Sequence, residues 1–533
     1  MARRSTGLVV AAALGAGCVS PIDVDIAVVN PCNQQAIQEV DFLRFEPRGT
    51  NVDSNGLTVV QRVADNVTPA IPIPLTNDFQ LVVTGHRESF DNPPQAIGVS
   101  PRFDLSGAEQ AVSIGVPFGL VDRFYRTTDV QDPITCTNMA VARYGATVTN
   151  LPGLDRALVI GGASLKDGAI EFRRAIEMYD PRSGRFDVVG ELSAGGARAF
   201  HTATLLADGR IFVAGGEALV GQRFESLRSA LIVDPRDPTF VTVSEVIDMK
   251  IARAGHNAVR LADGLVVLVG GRQLNPQAQT PQEHQFVREI GVFDPQRGEF
   301  LTAENGGVSG DLSMAAGRYG HSSLLLDTGR DILSYGGYNE TGPVRTFEVI
   351  RVAADVIQVS TASVSGAGSS VGPIFHAAAA MDDGRILLAG GYDTVARAEP
   401  GANLPSGATQ NVEMWTYRPT RGQLIRSCNA SMVDGRGRFT ATPLGSRVLF
   451  TGGRRANDGR PSTTAEIATV TDSASCFATT PSLVELDTPR AQHTATVLSS
   501  GDVLVVGGRL QDPGDPLGTS SATAEVFTPQ RTP

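Results

Sequence analysis

The chain has 533 residues, 41% hydrophobic and 19% charged, which suits a folded protein with a large core and excludes wholesale disorder. Its net charge of -11 and pI near 5.2 argue against a nucleic-acid binder, which would present a basic surface to phosphate. Glycine is abundant, at 58 residues, as many turns and closely packed strands require.

Arg3 and Arg4 precede GLVVAAALGAG, an apolar run of 11 residues that stops at Cys18. That run is too short for a bilayer span, which takes about 20 residues. Charge, apolar run and small residues come in the order of an export signal. The ending LGAGC resembles a bacterial lipobox, although Gly15 stands where a branched residue is usual and Leu14 lies one place early. The resemblance implies removal of residues 1–17 and a lipid anchor on Cys18. Val19 is not the aspartate that retains lipoproteins at the inner membrane, so an outer-membrane lipoprotein facing the periplasm or the exterior is expected. Secretion or periplasmic release after ordinary cleavage is the alternative. Residues 18–31 then form a tether.

From 32 to 118, short apolar runs (FLRF, LTVVQRV, FQLVVTG, AVSIGV) alternate with turn residues such as Asn55-Gly56. This predicts a small antiparallel β-sandwich-like domain of six or seven strands. Strands packed onto the rest of the chain without a core of their own are the alternative.

Beyond residue 140, double glycines end an apolar run seven times, from Gly161-Gly162 to Gly507-Gly508, at intervals between 54 (Gly161 to Gly215) and 66 (Gly270 to Gly336). Each unit opens near an Arg-x-x-His and runs through an apolar segment to a turn pair such as Asp208-Gly209 or Asp263-Gly264. Such pairs supply the positive φ of tight hairpins, so the flanking segments are antiparallel neighbours. The run before the glycines is four to six apolar residues, the pattern of a strand buried on both faces. A third strand ends in IEMYDP, LIVDP or GVFDP, where proline starts a turn, and a fourth follows. Four antiparallel strands in each of seven units predict an all-β propeller.

The double glycine, the Arg-x-x-His and the Tyr/Phe-Asp-Pro together resemble the kelch family, whose repeats form β-propellers. The resemblance covers about 390 residues and implies a seven-bladed kelch-type propeller over 119–533. The last unit ends after three strands, at AEVFTPQRTP. The family's habit of closing with a strand from the other terminus points to residues 120–131.

Arg143, Arg198, Arg253, Arg318 and Arg490 share one repeat position, and His201, His256, His321, His376 and His493 another. A catalytic group is needed once, so repetition marks these as structural. Ala146 and Arg438 are read as replacing the histidine in units 1 and 6, which removes a metal ring. Cys32, Cys136, Cys428 and Cys476 suit disulfides in an exported protein, with three pairings open and nearest neighbours favoured. No Cys/His spacing suggests zinc, and no metal or other cofactor is expected.

The long second-to-third connections share one end with the Arg-x-x-His segments and double glycines. They carry the candidate binding rim: Arg454, Arg455, Arg460 and Arg509 for an anionic group, with His284 and Tyr392. Asp512 and Asp515, and the glycines of GGVSGD, read as loop residues. The expected function is non-catalytic recognition or scaffolding at the envelope, with a protein or glycan partner, no nucleic acid, membrane contact only through the lipid, and a monomeric state. The alternative is an enzyme like galactose oxidase, whose copper-radical chemistry needs a Tyr–Cys cross-link, or another sugar-modifying propeller.

Overall fold

A computed structural model describes residues 22–531, apart from 66–69, 109–111, 167–168, 194, 303–304, 306–311, 354–355, 366–367, 399–406, 474 and 511–518. The export segment with Cys18, the pair Asp512 and Asp515, and GGVSGD lie outside the described residues. The structure is nearly all β, with 51% of residues in strands and 3% in helix.

Ahead of the repeats, Ile22–Val29 pairs with Ala70–Ile73 and Val112–Pro117. A second sheet is built from Phe42–Arg48, Val59–Arg62, Gln80–His86, Ala96–Val99 and Gly119–Leu120. Val24, Phe45, Phe79, Leu81, Ile114 and Phe118 form a buried cluster of their own among these strands. The arrangement is not purely antiparallel, because Ile22–Val29 runs parallel to Val112–Pro117. Parallel neighbours need a long crossover, and the intervening chain supplies it.

Among the described residues seven sheets then follow in chain order, antiparallel except that Ser363–Ser365 pairs in parallel with Gln423–Ser431 in the fifth. Repeat 1 is Thr147–Leu151, Arg156–Ile160, Ala175–Asp180 and Arg185–Glu191. Repeats 2 to 6 follow the same scheme. In repeat 2 the outer strand is split into Thr242–Val243 and Ile247–Asp248, because Ser244 turns its hydroxyl onto the Ile232 N–H at 2.9 Å. The seventh repeat has Thr494–Val497, Val503–Val506 and Ala524–Thr528, and its fourth strand is Arg123–Arg126. Strands from before and after the other repeats thus share one sheet, with Val526 opposite Tyr125 and Phe527 opposite Phe124. Apolar faces from adjacent repeats form the interior, as where Leu158, Ile160 and Met178 meet Ile211 and Leu231.

Six backbone hydrogen bonds link the repeats where they begin. Phe200 N–H donates to Gly145 O, Gly255 to Phe200, Phe375 to Gly320, Arg438 to Phe375, Gln492 to Arg438 and Gly145 to Gln492. All seven residues, Gly320 included, have φ between 51° and 71°. Glycine takes this left-handed conformation freely, while Phe200, Phe375, Arg438 and Gln492 hold it under strain that these bonds offset. The glycines have a second role. A Cβ on Gly145 would lie 2.8 Å from the Phe200 ring, and one on Gly255 2.2 Å from the Tyr319 ring.

Cys32 is bonded to Cys136 and Cys428 to Cys476. The first bond fastens the N-terminal strands next to Thr128, whose hydroxyl also accepts the Cys32 N–H at 2.9 Å.

Candidate functional site

The recurring arginines are buried and bind backbone. In six of the seven repeats the side chain donates to the carbonyl of the first glycine of its own pair: Arg143 to Gly161 at 2.8 Å, Arg198 to Gly215 at 3.1 Å, Arg490 to Gly507 at 2.8 Å. It also reaches the start of the third strand, as Arg143 does at Ala175 O. One guanidinium therefore ties three strands together where the double glycine leaves no side chain in the way.

In four repeats a third-strand glutamate completes the contact: Arg143–Glu177, Arg318–Glu348, Arg436–Glu466 at 2.5 Å and Arg490–Glu525 at 2.5 Å. Each carboxylate also accepts backbone N–H groups, Glu466 from Val433 and Asp434 for example. These buried charges are paired and hydrogen-bonded, the condition under which burial is tolerated. Repeats 2 and 3 have Leu231 and Gly291 on the third strand, and there burial pulls Arg198 and Arg253 down to about 10. In repeat 5 Pro373 stands where the arginine would be, and Glu413 is held instead by Ser369, Ser370, Trp415 and Arg426.

The histidines join one repeat to the next. Nε2 of His201 meets the Thr147 hydroxyl at 3.0 Å, His256 meets Thr202 at 3.0 Å, His376 meets Ser322 at 2.7 Å and His493 meets Thr440 at 3.1 Å. Burial holds them neutral, taking His201, His321 and His493 down to about 3 and His376 to about 4. The reading of repeat 6 is corrected here. Phe439, not Arg438, takes the histidine's place, and Arg436 is the buried arginine of that repeat. The turn in that repeat is only Gly445-Ser446, so counting back from its double glycine lands one residue early.

Of the rim candidates, Tyr392 does not belong to the surface. It is fully buried with Tyr319, Tyr338 and Ile374, and its ring fills the space where a Cβ on Gly437 would lie. His284 accepts the Asn275 N–H at 3.1 Å within its own loop, and His86 is held by Thr84 and Asn92 far from the repeats. Arg455 pairs with Asp458, Arg454 donates to Gly459 O at 3.4 Å, and Arg460 is exposed. Arg509 stands over the Tyr144 ring at 5.3 Å.

Sequence reasoning passed over Arg272 and misplaced Arg438. Arg272 lies 4.1 Å from the Tyr319 ring centre and pairs with Glu217 at 3.1 Å; Arg438 lies 3.6 Å from the Phe375 ring centre. Its signal was present, because Arg272, Arg454 and Arg509 each directly follow a double glycine.

The two ends of the repeat array differ. At the end opposite the arginines and histidines, the N-terminal strands are in contact: Arg447 with Asp122 at 2.8 Å, the Arg102 N–H with Asp155 at 2.6 Å, and Arg182 with Arg102 O and the Phe103 ring. At the loop end, hairpins Ala163–Lys166/Ala169–Phe172 and Glu217–Val220/Arg223–Ser226 continue past the double glycines. Ile170, Leu219, Val220 and Phe224 are exposed on them. A groove of about 680 Å³ lies at the other end, on the outer side of repeat 2, between Asp208, Asp234, Glu245 and Arg236.

No family profile and no curated protein sequence matches the chain. Among solved structures, a fungal alcohol oxidase of the AA5 family in complex with copper is similar, at 16% identity and a TM-score of 0.50, covering 74% of this chain and 75% of that one. The structure of YjhT is also similar, at 14% identity and a TM-score of 0.45, covering 65% of this chain and 98% of that one. The fold is that of a kelch- and galactose-oxidase-like β-propeller. The expectation that the chain is not an enzyme is thereby corrected, because the oxidase that shares this fold is one.

Copper does not fit the residues present. The repeat histidines are buried in separate seams, and all four described cysteines are in disulfides, which leaves none to cross-link a tyrosine. Among the described residues no cluster of three His, Cys, Asp or Glu side chains could hold a metal ion. No step through copper is derived.

Proposed function

We propose that the seven sheets are the blades of one closed propeller behind a small N-terminal β domain, and that the protein is sugar-directed, taking a saccharide at the loop end, where any modification of that saccharide would also occur. One observation carries this reading: the N-terminal strands occupy the opposite end through Asp122, Arg102 and Phe103, while the loop end bears the non-repeating connections. Non-repeating loops on a rigid scaffold are where specificity is placed. Export and a lipid on Cys18, as the N-terminal sequence suggests, would hold the propeller at the envelope. Palmitate labelling of the wild type and of Cys18→Ser tests that anchor.

A protein partner is the second reading, favoured by the apolar hairpin tips Ile170, Leu219, Val220 and Phe224. A glycan array with the intact protein tests the first reading, paired with a variant whose 454–460 connection is replaced by a short turn. Binding lost in that variant supports it. Binding that survives, or a protein captured through Phe224 with no saccharide bound, overturns it. Mass spectrometry of the recovered saccharide reads whether it has been changed.

A further inference from the structure

We propose that Ser322 and His376 form a nucleophile–base pair at the centre of the loop end, and that they remove an ester-linked acyl group from the bound saccharide. This rests on the reading of that end as the saccharide site and names the modification made there.

Each repeat's first strand contacts the first strand of the next, and Thr494–Val497 contacts Thr147–Leu151, so these strands surround one centre. Just after the histidine position most of them carry a threonine, as at Thr147, Thr202, Thr440 and Thr494. Repeat 4 alone carries a serine there, Ser322, and its side chain meets the one histidine whose surroundings differ. Among the described residues Nδ1 of His201, His256 and His493 has no hydrogen-bond partner. Nδ1 of His376 meets Pro373 O at 2.9 Å. A carbonyl only accepts, so Nδ1 carries the proton and Nε2 turns its lone pair to the Ser322 hydroxyl at 2.7 Å. That contact is shorter than its counterparts at His201, His256 and His493.

Pro373 has a second effect, because it stands where other repeats place a cation. Burial and then the adjacent Arg198, Arg318 or Arg490 take His201, His321 and His493 down to about 3, whereas burial alone takes His376 to about 4. His376 is the readiest of these to accept a proton. Ser322 is half-buried, and its primary hydroxyl lacks the methyl group that crowds a threonine oxygen. The strand beside it, Ala377–Ala380, is four alanines, which leaves little side-chain bulk next to Oγ. Leu326 N–H donates to Asp331 O at 2.8 Å, and alternation along the ladder from there pairs Ser322 with Tyr335. The N–H of Ser323 is thereby turned to the open edge of this first strand, beside the nucleophile, where an oxyanion needs a donor.

The reaction balances with water as the only co-reactant. Ser322 Oγ bonds to the ester carbonyl carbon as its proton passes to His376 Nε2. The bond from that carbon to the sugar oxygen breaks, and the sugar leaves with the proton from Nε2. Water then gives a proton to Nε2 and its oxygen to the acyl carbon. The Oγ–carbon bond breaks, Oγ regains the proton, and a carboxylic acid is released.

A fluorophosphonate probe on the intact protein, read by mass spectrometry of its peptides, tests the pair. An adduct on Ser322 is expected, lost in Ser322→Ala and largely lost in Ser322→Thr, which restores the residue usual at this position. His376→Gln should slow the adduct at least about tenfold, and Thr202→Ala, at the matching contact of repeat 2, should change nothing. Melting curves confirm that each variant is folded. No adduct on Ser322, equal adducts on Thr147, Thr202 and Thr440, or a rate indifferent to His376→Gln overturns the proposal. Acetate release from O-acetylated xylotriose by the wild type, and not by Ser322→Ala, is the expected turnover. Hydrolysis of p-nitrophenyl acetate with the acetylated sugar untouched would overturn the saccharide ester as substrate. A saccharide bound at the loop end without labelling of Ser322 would overturn the pair and leave the saccharide reading standing.

Discussion

The Thr147 hydroxyl of repeat 1 meets His201 Nε2 of repeat 2 at 3.0 Å, and burial holds that imidazole neutral down to about pH 3. Its counterparts His256, His321, His376 and His493 are likewise depressed. Unfolded histidine binds a proton near pH 6.5, so the unfolded chain takes up protons that the folded one refuses. The stability these sites allow is complete above pH 6.5 and is lost as pH falls from there toward about 3. Each site contributes a slope of up to about 1.4 kcal/mol per pH unit. Denaturant titrations at pH 7.5, 6 and 5 should show a steep decline. His201→Gln and His493→Gln should each flatten it, and an unchanged slope would reject this account.

Glu466 closes on Arg436 inside repeat 6, with both side chains buried. Glu466→Ala should cost about 3–5 kcal/mol, because it leaves a buried cation and two backbone donors without their acceptor. Arg228→Ala, which breaks the exposed pair with Asp248, should cost less than about 1 kcal/mol. Urea unfolding of the two variants gives the comparison.

Removing Arg123–Arg126 should expose the edge of Ala524–Thr528 and the ring of Phe527, which packs on Phe124. An uncovered apolar edge promotes association. The expected result is loss of a cooperative melt together with a rise in light scattering. A deletion variant that melts like the wild type would show that the strand is dispensable.

The Cys32–Cys136 bond closes a sequence separation of 104 residues and Cys428–Cys476 one of 48. Chain-entropy reasoning gives about 4–5 kcal/mol for each. The double serine variants should differ from one another by less than about 1 kcal/mol, with the larger loss at Cys32–Cys136. Thermal melts of the oxidised protein and both variants would show the order.

Much of the fold was legible because it repeats. The glycine pairs, the turn pairs and the apolar runs before the glycines recur often enough to fix strands and their order. Where one hairpin shortens, at Gly445-Ser446, the count slips, and Arg438 was taken for the histidine position that Phe439 holds. The recurring third-strand glutamates were visible as well. Their meaning was not, since only the folded repeat brings Glu177 under the arginine 34 residues earlier. Tyr392 looked like a loop residue because it follows a glycine pair, yet a tertiary contact with Gly437 carries it inside.

The strand Arg123–Arg126 leaves the ribosome before any repeat has been made, while its partner Ala524–Thr528 follows all the other repeat strands. The first strand of the repeat array to be made is therefore the last one used. About 400 residues must be made before this sheet can form, a delay set by synthesis and not by the chemistry of pairing. During that interval both partners are adhesive edges. A chain that stops short of residue 524 lacks that partner, and Arg123–Arg126 is then left as an unpaired edge.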